Sequence, residues 1–429
     1  MGQRQGHRRV TAAAGPLSAR EAALRIVAEV RRQPPLRIPL DDALGLVLAE
    51  DAVSPLDIPA HTNSAMDGYA TRALDVRGAS GDRPVRLRVV ETIPAGHFPT
   101  RGIGPGECAR IFTGAPLPEG ADGVIRQEDT DLGRDIVAIR TDRDAGINFR
   151  RAGEDIRRGS VALEAGTVLG PAHLGVLASL AIAAPMVIRR PRVAILGSGD
   201  EIVDIDQPDE ILSGRKVASS NSHTLMALVR EAGGEPIDLG IARDTPESLR
   251  AHFATAADAD LLITSAGISV GEHDHVRTVL ADLGGELRFW KLRMRPGAPV
   301  GFGMVHGIPW IGLPGNPVSV MVTFELFARP AIRKMTGHAL PFRRSVPARV
   351  TEPITLGPKL QHFLRAIATP NGAELDVRLT GPQGSGILTS MVMANALLVV
   401  PEGQHETPAG AVLPVIRLDD PVCAAEPAF

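Results

Sequence analysis

Several familiar functions are excluded by what this chain has little of. Its 429 residues contain 2 cysteines, Cys108 and Cys423. Two thiols cannot make a disulfide framework, and no Cys/His cluster has metal-ligand spacing, so a reducing, cytoplasmic setting is expected. Aromatic residues make up 3% of the chain, with a single tyrosine at Tyr69, too few to build a stacking platform for single-stranded nucleic acid. A formal net charge of −3 gives no basic field to attract DNA or RNA. Long apolar runs are missing as well. The most apolar window, 174–188, is too short for a membrane span and is interrupted by Pro185. The basic first ten residues are not followed by the apolar core of a secretory signal. Neither a nucleic-acid partner nor a membrane is expected.

What remains is an ordinary globular composition, 44% hydrophobic and 22% charged, in a chain too long for one core. Residues 1–17 read as a tail. Ser18 and Glu21 form a capping box, and Ala23, Ile26, Val27 and Val30 follow at helical spacing before Pro34-Pro35. A second short helix is expected over 42–50. Residues 53–150 are β-rich, with strand-like runs at 85–90 and 136–139 between Gly, Pro and Asp clusters. Residues 151–187 return to loop and a helix near 172–180, so 18–52 plus 151–187 read as one discontinuous N-terminal domain. From 188 to 338, strand, glycine-bearing loop and amphipathic helix alternate. The helix after Asn221 carries Leu225, Leu228, Val229 and Ala232 on one face and stops at Gly233-Gly234. Asn316-Pro317 opens a long helix to Met335, kinked near Pro330. That alternation specifies a doubly wound parallel α/β domain. In 341–422, Pro370-Asn371-Gly372 marks a hairpin, and further strands near 397–400 and 412–418 complete a small C-terminal β domain. The fold class is therefore α/β plus β, multidomain.

In such a sheet, ligands bind at the carboxyl ends of the strands. Ser265, Gly267, Ser269 and Gly271 follow one strand and precede a helix, where small residues and helix-terminal amides suit a phosphate or another oxyanion; a plain strand–helix turn capped by Asp274 fits the same spacing. Pro314, Gly315, Asn316 and Pro317 form a similar loop, or only a tight turn into a capped helix. Glu201, Asp244 and Asp274 each follow a strand. Carboxylates beside an oxyanion site call for a bridging cation, and Mg²⁺ is the usual one; singly, each is an ordinary cap or solvated charge. Lys291, Arg293 and Arg295 alternate and would share one face of a strand, either to hold an oxyanion or as a solvated edge. No His–nucleophile arrangement appears. Positioning plus metal-assisted phosphoryl chemistry is the better physical reading.

Five segments in order, Asn63–Ala70, Phe112–Pro116, Gly153–Ile156, Ser198–Ile202 and Gly312–Pro317, together resemble molybdopterin molybdenumtransferases, the family that inserts molybdenum in molybdenum-cofactor synthesis, and the C-terminal domain of gephyrin. The similarity runs from about residue 18 to 420. It implies an L-shaped homodimer whose α/β domain resembles molybdopterin adenylyltransferase. It also implies substrates, adenylylated molybdopterin and molybdate, with Mg²⁺-dependent release of AMP and molybdenum cofactor. By that resemblance Glu201, Asp244 and Asp274 serve metal and phosphate, while Arg295, Arg365 and Ser385 face molybdate. Asp67, Thr113, Arg150, Asp155 and Lys291 match catalytic positions, Asp67 and Thr113 reaching the cleft from the partner subunit. Ser265, Gly267, Ser269, Gly271, Pro314, Gly315, Asn316 and Pro317 would bind the substrate. Molybdopterin adenylyltransferase and molybdoenzymes are implied as further partners. Arg295 stands where lysine is common, Ala298 where a lysine often lies near molybdate, and Ala266 where the anion loop has glycine. The Ala298 departure motivates an alternative, a non-catalytic cofactor carrier or assembly factor.

Overall fold

A computed structural model describes residues 15–267, 275–357 and 360–429. The chain divides into two compact units, residues up to 37 with 45–49 and 186–429, and residues 38–44 with 50–185.

The larger unit begins with α1 (Ala19–Glu29), whose capping box is formed by Ser18 and Glu21. Ala19, Ala22, Ala23 and Ile26 of α1 are buried in the core shared with Val193, Ile195 and Ile311. Pro16 and Leu17 are held as well: Leu17 bridges Leu292, and the Arg293 amide donates to its carbonyl. Leu17 is therefore part of the apolar core and not of a tail.

The central sheet uses β1 (Arg192–Ser198), β2 (Glu235–Ala242) and β3 (Leu261–Ser265), with the later strands β4 (Glu286–Phe289), β6 (Gly301–Val305) and β7 (Ile308–Leu313). Between β4 and β6 lies a two-residue strand, β5 (Met294–Arg295), which belongs to the C-terminal sheet. The strand order is β2-β1-β3-β7-β6-β4. Its first four strands are parallel, as expected. The other edge is antiparallel: β6 and β7 are joined by His306-Gly307, both at positive φ, a two-residue turn that reverses the chain and leaves no room for a crossover. Helices cover both faces. α2 (Ser220–Ala232) buries Leu225 and Val229 on one. On the other, α3 (Pro246–Ala254) buries Leu249 and Phe253, and α4 (His275–Asp282) buries Val276, Val279 and Leu280.

Two expected helices differ. The one opening at Asn316 runs as α5 (Pro317–Thr323), a π-type segment over Phe324–Ala328, and α6 (Arg329–Met335). The kink assigned to Pro330 is thus taken up as a widened turn just before it, and Asn316 makes no side-chain cap. Over 42–50 there is only a 3₁₀ turn, Leu40–Ala43, ended at Gly45, whose φ is +77.

The C-terminal part closes into a ring. β8 (Ser345–Val350), β9 (Gln361–Asn371), β10 (Glu374–Leu379), β11 (Ala396–Val400) and β12 (Val412–Arg417) pair in the order β9-β10-β8-β12-β11, and β11 pairs again with β9. Closure removes free edges. Strand β5 adds to it in parallel, with Arg295 opposite His362.

The smaller unit holds a five-stranded sheet in the order Gly123–Arg126, Gly68–Thr71, Glu107–Ile111, Val85–Ile93 and Ile136–Ile139. Its faces bury Tyr69, Leu87, Ile125 and Val137 on one side and Ile93, Ile111 and Val124 on the other. Among the described residues no helix is long and apolar enough to cross a membrane.

Candidate functional site

A cavity of about 470 Å³ opens at the carboxyl ends of β1, β3 and β7 and includes Ser198, Glu201, Ser265, Gly267 and 314–317 in its wall. The sheet makes this site by ending three strands together. Gly267 has a φ of +71, and a Cβ there would lie 2.6 Å from Val276 Cγ2, so only glycine permits the turn into α4. Ala266 sits at φ +69, and its methyl carbon is 3.3 Å from where a Cβ on Gly315 would stand. The two loops therefore touch, and Asn221 Nδ2 donates to the Gly315 carbonyl at 2.8 Å. Ser198 Oγ is buried without a partner among the described residues, a hydroxyl left available to a ligand. Ser269, Gly271 and Asp274 lie outside the described residues.

Of the acids, Glu201 lines this cavity, while Asp200 lines a neighbouring one beyond the Gly199 turn. Gly199 has a φ of +141, and a Cβ there would meet the Glu201 carboxylate at 2.9 Å, so glycine lets that carboxylate fold back over the turn. The Asp244 amide donates to Asp200 Oδ1 at 3.3 Å. Desolvation and then the charges of Asp200 and Glu201 raise the Asp244 carboxyl above the ordinary aspartate value, against a smaller opposing effect of His275. Among the described residues no group of three His, Cys, Asp or Glu side chains is arranged around a common metal position.

A second cavity, about 580 Å³, shares Pro299, Pro314 and Asn316 with the first. Arg295, His362, Arg365 and Ser385 line it. Arg365 is 1% exposed. Its Nε donates to Ser390 Oγ at 3.0 Å and one terminal nitrogen donates to the Gly384 carbonyl at 3.0 Å. Every described partner is neutral, and burial lowers its pKa. A buried guanidinium without a carboxylate favours an incoming anion.

The expected row of three cations is not formed. The chain leaves β4 at Phe289 and re-enters a strand only at Met294, so the residues between do not alternate across a pleat. Lys291 is exposed and is not among the residues lining either cavity. Arg293 is engaged by Glu402 and the Pro16 carbonyl. Arg295 alone of the three reaches the second cavity.

The remaining candidates lie in the smaller unit. Asp67 Oδ1 accepts the amide and the hydroxyl of Thr113, each at 2.8 Å, and these bonds hold its carboxyl below the ordinary value. Arg150 is exposed in a short strand opposite Asn63. Asp155 is exposed, its amide donating to the Ile58 carbonyl. Burial pushes the Cys108 thiol up to about 12, which removes it as a nucleophile.

Three family descriptions match the chain: "MoeA N-terminal region (domain I and II)" over 17–181, "Probable molybdopterin binding domain" over 194–334 and "MoeA C-terminal region (domain IV)" over 347–418. Molybdopterin molybdenumtransferase 2 of Mycobacterium tuberculosis is 40% identical over 398 residues, covering 91% of this chain and 97% of that one. The chain belongs to the molybdopterin molybdenumtransferase family. Another member, from Nostoc sp., is 38% identical over 88% of this chain and 87% of its own. The crystal structure of the molybdopterin biosynthesis moeA protein from Pyrococcus horikoshii OT3 covers 94% of this chain and 99% of that one, at 30% identity and a TM-score of 0.77.

Reading the residues alone gave no role to Ser198, although it stands in one of the five family-like segments, and overlooked Asn221, Ser319, His362 and Gln383, which also line the cavities. Ser198 carried a signal, standing immediately before a glycine at the end of a buried strand. Gln383 and Ser319 carried none. They meet the cavity only because β9 and the loop after β10 fold back towards α5, where the Val318 amide donates to the Ser385 carbonyl.

Proposed function

We propose that this protein transfers molybdenum from molybdate into adenylylated molybdopterin, releasing AMP and molybdenum cofactor. One observation carries this reading: a cavity edged by small residues and the Glu201 carboxylate shares three wall residues, Pro299, Pro314 and Asn316, with a cavity holding a buried arginine that has no carboxylate partner among the described residues. The first suits the phosphate-bearing substrate, held by Ser198, Ser265, the Gly267 turn and the 314–317 loop. The second suits a tetrahedral dianion, met by Arg295, Arg365 and Ser385. Molybdenum then has a short path to the pterin sulfurs. Glu201 and Asp244, with Asp274, would hold Mg²⁺; the raised Asp244 pKa is consistent with carboxylates awaiting a counter-ion. Bound there, the cation would neutralise charge at the phosphate and ease loss of AMP.

The active form in this reading is a cytoplasmic homodimer, in which the segment carrying Asp67 and Thr113 serves the cleft of the other copy, with Arg150, Asp155 and Lys291 supporting the reaction. Molybdopterin adenylyltransferase and molybdoenzymes are its partners in supply and delivery. In this reading 53–150, 188–338 and 341–422 are domains, while α1 belongs with the α/β core and 151–185 with the smaller unit.

Ala298 favours a second reading. It lines the second cavity with only a methyl group, so a dedicated carrier would bind pterin and ignore molybdate. Purified protein mixed with adenylylated molybdopterin separates the two. AMP release that requires both molybdate and Mg²⁺ supports the transferase; binding without release supports the carrier; neither binding nor release removes both.

A further inference from the structure

His362 is 4% exposed, lines the second cavity, and leaves its Nε2 buried with no hydrogen-bond partner among the described residues. A polar atom stranded in this way carries an uncompensated desolvation cost unless something arrives to satisfy it. Its surroundings say what would. Arg295 stands opposite it on β5, and Arg365, which leaves the other face of β9, reaches the wall of the same cavity. On β11 its register partner is Val400, which is uncharged. The Gly357 carbonyl faces the ring and favours a proton there. Ser319, Gln383 and Ser385 complete the polar wall, and Lys359 lies outside the described residues. No acid is among the described residues of this cavity.

We propose that His362 Nε2 is a third cationic contact for the oxyanion held by Arg295 and Arg365, and that the anion enters together with one proton, which the imidazole carries. This rests on the reading of the second cavity as an oxyanion site. It also answers the absence of charge at Ala298, since the imidazolium supplies the cation from a neighbouring strand. Without an anion, burial first and Arg295 second hold the ring below its ordinary pKa, so it is neutral. A dianion reverses that balance by placing two negative charges beside Nε2. The proton comes from solvent, and no bond is made or broken except N–H. Both arginines are already protonated, so among the described lining groups only His362 can take the proton up.

Molybdate alone, titrated calorimetrically into the full chain in buffers of different ionisation heat, tests this. Expected is uptake of close to one proton at pH 8, with affinity falling about tenfold per pH unit above the titration of the empty site. His362→Gln should weaken binding at least tenfold near pH 6.5 and flatten the pH profile. His362→Lys, a permanent cation, should restore affinity while keeping the profile flat. Thermal unfolding checks that both variants fold. Molybdate binding by the unaltered chain with no proton uptake overturns the His362 assignment and leaves the oxyanion cavity intact. No molybdate binding at any pH overturns both.

Discussion

Arg365 and Ser390 form the contact that fixes the guanidinium in the second cavity. Ser390 Oγ accepts from Arg365 Nε at 3.0 Å and donates its own proton to the Ile387 carbonyl at 2.6 Å. The hydroxyl can therefore face the arginine only with a lone pair. A lysine cannot reproduce several donors in one plane. Arg365→Lys should lower molybdate-dependent turnover by about 10²-fold, and a carboxylate-free buried cation should show this mainly as a higher KM for molybdate. Ser390→Ala should raise the same KM about tenfold, as expected for loss of a hydrogen bond to a charged group. Steady-state assays over a molybdate series separate the effects; an unchanged KM in both variants would remove Arg365 from the oxyanion site.

Asp67 and Thr113 make the corresponding fixed pair in the smaller unit. Two hydrogen bonds from Thr113 lower the Asp67 pKa, so this carboxylate stays ionised well into acid. Thr113→Val removes one donor and keeps the amide, and should cost about 1 kcal/mol of stability in that unit. Asp67→Asn retains the turn and loses the charge. If the charge acts in the reaction, Asp67→Asn should reduce kcat/KM by about 10²-fold while leaving the unfolding midpoint within a few degrees of the parent. Full activity in that variant would leave Asp67 as a turn residue only.

His338 makes a prediction about acid stability. It is buried, its Nδ1 lies 2.8 Å from Thr336 Oγ1, and burial, with Arg333 next, depresses its pKa from 6.5 to about 4. Between those values the unfolded chain binds the proton and the folded chain does not. Stability from this group is therefore complete above pH 6.5 and declines as pH falls towards 4, by at most about 3 kcal/mol. Urea unfolding at pH 7 and pH 4.5 should show the decline, and His338→Asn should reduce it while costing about 1–2 kcal/mol at neutral pH. An identical pH dependence in the variant would assign the acid sensitivity elsewhere.

Local signals survived the passage from sequence to structure. The Ser18–Glu21 capping box, the Gly233 stop and the hairpin around Gly372 each depend on residues within a few positions of one another, and each is present. Three of the four parallel strands, β1, β2 and β3, were legible because each is a short apolar run followed by an amphipathic helix; β7 was not named, since it follows a hairpin. Its antiparallel edge was not, since His306-Gly307 is a weak turn signal and the reversal is set by positive φ at both residues.

The candidate site was legible only in part, for a similar reason. Glu201, Ser265, Gly267 and Pro314 all follow strands of one sheet, so topology alone brings them to one edge. Lys291 and Arg293 read as companions of Arg295 by spacing, but spacing carries orientation only inside a continuous strand, and here the strand breaks. His362 was invisible because its role depends on β5 pairing with β9 across more than sixty residues of chain.

The wall common to the two cavities has a thermodynamic consequence. Pro299, Pro314 and Asn316 cannot take one position for an occupant of the first chamber and an independent one for an occupant of the second. An occupant of either chamber that displaces these residues alters the free energy of filling the other, and by linkage the factor is the same in both directions. A pterin that tightens the grip on molybdate is itself gripped more tightly by that amount once molybdate is bound. In the reaction proposed above, product that has gained its metal and lost its nucleotide would leave the second chamber empty and forfeit the same factor, which would speed its departure.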